Sequence, residues 1–161
     1  MLGRFLNAKF VPANTDVGLL LLRIGTGSIL FMRHGWEKIS RLSFSNPNFP
    51  DPLHIGNHAS WTLAMIGDGI LSLLLVAGIG TRWIAVYSFV QIFVAFAFMQ
   101  HFVFFGKVPG ADHSELIALY LSALLSLMFT GPGRYSVDAV LADDPEIYRN
   151  YRPAALERRK R

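Results

Sequence analysis

The sequence predicts an all-α integral membrane protein, a four-helix bundle with both termini in the cytoplasm. Three observations predict it. Of the 161 residues, 52% are hydrophobic and only 16% charged, whereas soluble domains carry roughly a quarter charged residues. From Trp83 to Phe105 there is no Asp, Glu, Lys or Arg, and a run of ~18 or more such residues reads as a membrane span. The basic residues fall between and after the apolar runs, where membrane topology is set, rather than across one globular face. That placement sets nucleic acid aside as a partner despite the net charge of +4.

Four apolar segments follow one another: residues 16–38, 58–80, 83–105 and 114–131. Each approaches the length that crosses ~30 Å of hydrocarbon at ~1.5 Å per residue, and the fourth is the shortest. A helix satisfies all its own backbone groups in lipid, and no alternating barrel pattern is present. Residues 1–15 form a polar, basic N-terminal segment on the cytoplasmic side, with no cleavable leader. Residues 39–57 form an outer loop punctuated by Pro47, Pro50 and Pro52. Gly80-Thr81-Arg82 is too short to let the second and third segments be anything but antiparallel neighbours. Residues 132–161 make a cytoplasmic tail, in which Ser136 is placed to cap a short helix through Leu141.

The charge count orients the bundle. Arg4, Lys9, Arg82, Arg134, Arg149, Arg152, Arg158, Arg159, Lys160 and Arg161 lie on the side shared by the termini. Arg33, Lys38, Arg41 and Lys107 lie on the other. Ten against four puts both termini inside. The chain has no cysteine, which excludes disulfides, iron–sulfur clusters and thiolate metal sites within it.

Two charges stand inside apolar runs. Arg23 lies about 10 Å from the inner end of the first segment and Asp68 about 18 Å from the inner end of the second. Ionisable groups at such depth have a partner or a task. The simplest reading is an ion pair between Arg23 and Asp68 that pins the first two helices together. A proton or substrate relay and a snorkelling Arg23 are the other two readings.

All five histidines, His34, His54, His58, His101 and His113, fall on or near the outer side. His34 lies almost three whole turns beyond Arg23, and Glu37 follows it by three residues, so all share one helix face. Tyr87, Gln91, Phe98 and His101 make one stripe of the third segment; Glu115, Leu119, Ser122 and Ser126 make one of the fourth. If these stripes face inward, His34, Glu37, His101 and Glu115 meet at the outer mouth of the bundle. Such a cluster suits a polar small ligand such as a quinone headgroup, or simply an interfacial hydrogen-bond network. No helix carries two close metal ligands, which disfavours metal and haem. Gly25 and Gly27, Gly67 and Gly69, and Ser122 and Ser126 are spaced for close helix packing.

Several of these residues together resemble the DoxX family. Leu22-Arg23-Ile24-Gly25 followed by His34-Gly35-Trp36-Glu37-Lys38 is similar to the opening of that family, as is Gly67-Asp68-Gly69 followed by Gly78 and Thr81-Arg82. Glu115 and the closing Gly131-Pro132-Gly133-Arg134-Tyr135-Ser136-Val137-Asp138 extend the resemblance over about residues 18 to 140. Asp68 departs from the more usual Glu of the family, which shortens the reach of that carboxylate. The resemblance implies a small four-helix protein of the inner membrane, a subunit or accessory of an oxidoreductase system, with quinone as the implied ligand. Partners would then be the bilayer and a larger redox complex or further copies of the chain. A non-catalytic assembly partner and a small transporter are the alternative functions.

Overall fold

The computed structural model describes residues 14–41, 49–99, 102 and 114–142. Among these, all regular structure is helical. Helices α1 (Thr15–Ser40), α2 (Asn57–Ala77) and α3 (Thr81–Met99) are long and apolar enough to cross a membrane. Helix α4 (Ser114–Thr130) has 17 residues, about 26 Å of rise, slightly under the hydrocarbon thickness. A short helix, α5 (Val137–Leu141), follows, and Ser136 caps it by accepting from the Ala139 amide at 3.1 Å. Helix α2 stops at Ala77 rather than residue 80, because Gly78 adopts a left-handed conformation (φ 76°). The Ile79 amide then closes back onto the Leu74 carbonyl at 3.0 Å, the hydrogen bond of a Schellman stop.

Helix α1 packs on α2, α3 packs on α4, and contacts between α2 and α3 and between α1 and α4 close the bundle. The core is apolar: Leu30, Leu75, Ile84, Ile92, Phe96, Ile117, Leu124 and Leu127 are all buried. Leu21, Ile29, Val90 and Phe129 point outward, as lipid-facing side chains do where helix exteriors are apolar too. With lipid as apolar as leucine, helix association relies on close backbone approach. Gly27 supplies it in α1, since a Cβ there would stand 2.7 Å from the Ser72 carbonyl oxygen and 2.7 Å from Val76 Cγ2. One end further on, a Cβ on Gly35 would run into the Asp68 carbonyl. Gly25, also expected at the interface, has open space around it.

Helices α1 and α2 are each interrupted by a π-turn, Phe31–Gly35 in α1 and Ile66–Leu71 in α2. In each, the amide five residues on closes the turn: Trp36 to Phe31, and Ser72 to Gly67. The two π-turns face each other through Gly35, Asp68 and Gly69. Such turns add one residue to a helix and concentrate at functional sites.

The start of α2 is held by the loop before it. Asp51 accepts from the Ser60 hydroxyl at 2.7 Å and from the amides of Ile55 (3.1 Å) and Gly56 (2.6 Å). The Phe49 ring meets Trp61 edge-on at 5.2 Å. The Ser60 hydroxyl foremost, and then the Gly56 and Ile55 amides, hold the Asp51 carboxyl below its ordinary value, against the opposing effect of desolvation.

Two predictions follow from these contacts. Gly27→Ala and Gly35→Ala each overpack the α1–α2 contact and lose about 1–3 kcal/mol, whereas Gly25→Ala keeps or slightly raises the melting temperature in detergent. For Asp51 the folded form is the weaker acid-binder, so its contribution is intact above the ordinary carboxylate value, about 3.9. It is lost as pH falls below that value through the folded one. Hydrogen exchange at the Ile55 and Gly56 amides therefore accelerates, beyond the intrinsic pH effect, in acid; Asp51→Asn removes that pH dependence.

Candidate functional site

Among the described residues the buried charges Asp68 and Arg23 stand in two nodes, one at each end of the α1–α2 contact. Asp68 anchors the first. It lies in the π-turn of α2, between Gly67 and Gly69, and is itself buried. Its Oδ2 accepts from Lys38 Nζ at 2.9 Å, and its Oδ1 from Gln91 Nε2 at 2.7 Å. Lys38 Nζ also donates to the His34 carbonyl at 2.9 Å. The Lys38 and Asp68 side chains are both 11% exposed. Tyr87, one turn before Gln91 on α3, donates its hydroxyl to the Leu63 carbonyl at 3.0 Å. Gln91 Oε1 is buried and has no hydrogen-bond partner.

The second node belongs to Arg23, which is fully buried. Its guanidinium donates to the Tyr135 carbonyl and, at 3.5 Å, to the Val76 carbonyl near the end of α2. Carbonyls left over at a helix C-terminus, with the negative end of the dipole, suit a cation. The segment after α4 folds back over this end. Asp138 accepts from the Gly80 amide at 2.7 Å and the Thr81 amide at 3.0 Å, placing a carboxylate at the positive end of α3. The Asp138 amide in turn donates to the Gly78 carbonyl at 2.9 Å, and Arg134 N to Asp16 Oδ1 at 2.9 Å. A side chain on Gly78 would collide with the Arg23 guanidinium.

The expected ion pair between Arg23 and Asp68 is therefore corrected: each has other partners. The glycine contacts set the reason. Gly35 lies against Asp68 and Gly27 against Ser72 and Val76, so Arg23 sits at the level of Val76 and Gly78. From there to Asp68 is about 15 Å along the helices, beyond the reach of one arginine.

The outer cluster is corrected in part. Glu37 is turned outward, 3.6 Å from Arg41 on its own helix, with 64% of its side chain exposed. Lys38 takes the inward position instead. Glu115, Leu119, Ser122 and Ser126 lie on the exposed face of α4. The buried face of α4 carries Ile117, Tyr120, Leu124 and Leu127. The α3 stripe splits: Tyr87 and Gln91 face α2, while Phe98 is exposed. His34 is half-buried beside the node; His101 lies outside the described residues, as does His113. Sequence reasoning missed Lys38 and Gln91 as partners of Asp68. The available signal was their polarity at bilayer depth, which for Lys38 had been absorbed into the count of outer charges.

Among the described residues no group of three or more His, Cys, Asp or Glu is placed to hold a metal ion. The first node sets a cation, an amide and a carboxylate side by side and leaves one buried acceptor, Gln91 Oε1, without a hydrogen-bond partner.

Stability separates the two nodes. Breaking a buried pair by removing one partner strands a charge and costs about 3 kcal/mol or more. Lys38→Met and Asp68→Leu each lower the melting temperature in detergent, and the double variant recovers more than half of the loss. Arg23→Met combined with Asp68→Leu gives the sum of the single losses within about 0.5 kcal/mol, as distant sites do. Additive losses for Lys38 with Asp68 would refute the pairing.

No curated protein and no solved structure matches the chain. The model of the DoxX family matches residues 18–101, just over half of the sequence. That stretch runs from the first turn of α1 through the end of α3, and it carries Arg23, Lys38, Asp68 and Gln91, every side chain of the two nodes that lies in a long helix. The chain is a multi-pass membrane protein and belongs to the DoxX family.

Proposed function

We propose that the chain is an inner-membrane component of an oxidoreductase system, with both termini in the cytoplasm, that docks a quinone headgroup beside Asp68. One observation carries the reading: a Lys38–Asp68–Gln91 network, with an unpaired buried amide oxygen, stands in an otherwise apolar bundle. Polar groups at this depth are costly and mark functional positions by default. The excess of Lys and Arg on the terminal side supports the orientation.

Bound quinone would supply two-electron, two-proton carrier chemistry. The protein's share is binding and orienting the headgroup. Gln91 Oε1 accepts from a headgroup hydroxyl, and Gln91 Nε2 stays on Asp68 Oδ1, which orients the amide. Lys38 Nζ holds Asp68 Oδ2 and fixes the carboxylate beside the headgroup. His34 flanks the node from α1, and His101, outside the described residues, remains the second candidate. Glu37 and Glu115 belong to the exposed rim rather than to this contact.

A second reading is favoured by the packing. A Cβ on Gly67 would collide with the Gln91 carboxamide, a closeness that suits a fastener within a non-catalytic assembly partner. Thermal unfolding in nanodiscs with a short-chain quinone decides between them. Stabilisation of about 1.4 kcal/mol at roughly ten times Kd is expected, and Gln91→Leu abolishes it while leaving the fold intact. No stabilisation of folded protein, in detergent and in nanodiscs alike, overturns the quinone reading and leaves the assembly role.

A further inference from the structure

Gln91 Oε1 is an acceptor that cannot donate, and among the described residues it is buried without a hydrogen-bond partner. The orientation of its amide is fixed by its neighbour. Both Asp68 oxygens accept, Oδ2 from Lys38 Nζ at 2.9 Å and Oδ1 from Gln91 Nε2 at 2.7 Å. Turning the amide over would set Oε1 against Oδ1, acceptor facing acceptor. Oε1 is thereby held over Gly67, where it and the Tyr87 ring fill the space that a Cβ would need. The Tyr87 hydroxyl closes on the Leu63 carbonyl at 3.0 Å, at the exposed seam between α2 and α3. A buried acceptor left unpaired costs its desolvation in full, so a molecule that brings a donor to it is favoured.

We propose that this atom makes the node selective for the redox state of its ligand. It takes the hydroquinone, whose ring hydroxyls donate, in preference to the quinone, whose carbonyls only accept. The inference rests on the docking reading above and names the form of headgroup that docks. A hydroxyl hydrogen placed on Oε1 meets its unpaired lone pairs, whereas a carbonyl in the same place sets a second acceptor against the first. Donors with a hydrogen to spare do stand at the node, on Gln91 Nε2 and Lys38 Nζ. A quinone carbonyl that takes one of them still leaves Oε1 unmet, so the difference between the two forms persists. The way in is the seam at Tyr87, which Leu63 and Val90, both exposed, flank on the lipid side. A headgroup carried in the bilayer reaches Oε1 there by displacing the Tyr87 ring.

The test titrates the full-length protein in nanodiscs, without oxygen, with a decyl benzoquinone and separately with its hydroquinone. The hydroquinone is expected to bind about tenfold more tightly, in line with one hydrogen bond to a buried acceptor. That preference raises the midpoint potential of the bound couple by about 30 mV. Asp68→Asn supplies a readout that a merely structural role would not move. Lys38 keeps the oxygen of the new carboxamide, whose NH2 then faces Gln91, and the Gln91 amide turns over to meet it. Nε2 comes to stand where Oε1 stood, and the preference inverts toward the quinone. Equal affinities, or a tighter quinone, in the unaltered protein overturn the selectivity and leave docking itself in place. A folded Asp68→Asn protein that keeps the hydroquinone preference overturns the part assigned to the amide. Should that variant misfold, the comparison of the two forms on the unaltered protein decides alone. Failure of both forms to bind folded protein overturns the docking reading, and this inference with it.

Discussion

Contact between the backbones of α1 and α2 at Gly27 and Gly35 determines where every buried charge in the bundle finds its partner. Lipid provides no hydrophobic force to bring helices together, so the approach itself has to be favourable. Two glycines allow the helices to meet carbonyl against Cα. Once they do, the antiparallel register is set, and with it the level at which each polar side chain of α1 faces α2. Lys38 comes level with Asp68, and Arg23 with the end of α2.

The two nodes solve the burial of charge in different ways. At Asp68 a cation and an amide each take one carboxylate oxygen, so a full negative charge is neutralised by a side chain from α1 and steadied by one from α3. At Arg23 the acceptors are main-chain carbonyls, with the Asp138 carboxylate held nearby on α3. Carbonyl acceptors at a helix end bring the dipole with them. The first arrangement joins three helices through side chains, and the second ties α1 to the end of α2 and to the segment after α4 through main-chain carbonyls.

The first three spans were legible because the length of an apolar run is read directly from residue order. Ser136 was legible as a cap because capping depends on a local spacing of three residues. Pairing was not legible, and the π-turns are the reason. A regular helix puts Glu37 on the face of Arg23 and His34. The extra residue in Phe31–Gly35 turns every later position by about 100°, which brings Lys38 inward and sends Glu37 out. Nothing in a single sequence announces that shift. On α4 the polar stripe through Ser122 and Ser126 looked inward-facing by chemistry, but both hydroxyls are satisfied by carbonyls of their own helix, Ala118 and Ser122, and ask for no neighbour.

The partners of Arg23 also have an order in time. The residue enters the membrane with the first helix, whereas the carbonyl that receives it at Tyr135 is 112 residues further along the chain. Until that carbonyl is made, the Val76 carbonyl of α2, at 3.5 Å, is the acceptor the earlier helices offer the guanidinium. Arrival of the segment after α4 adds the second. A chain halted before that segment would hold the buried cation by the longer of its two contacts alone.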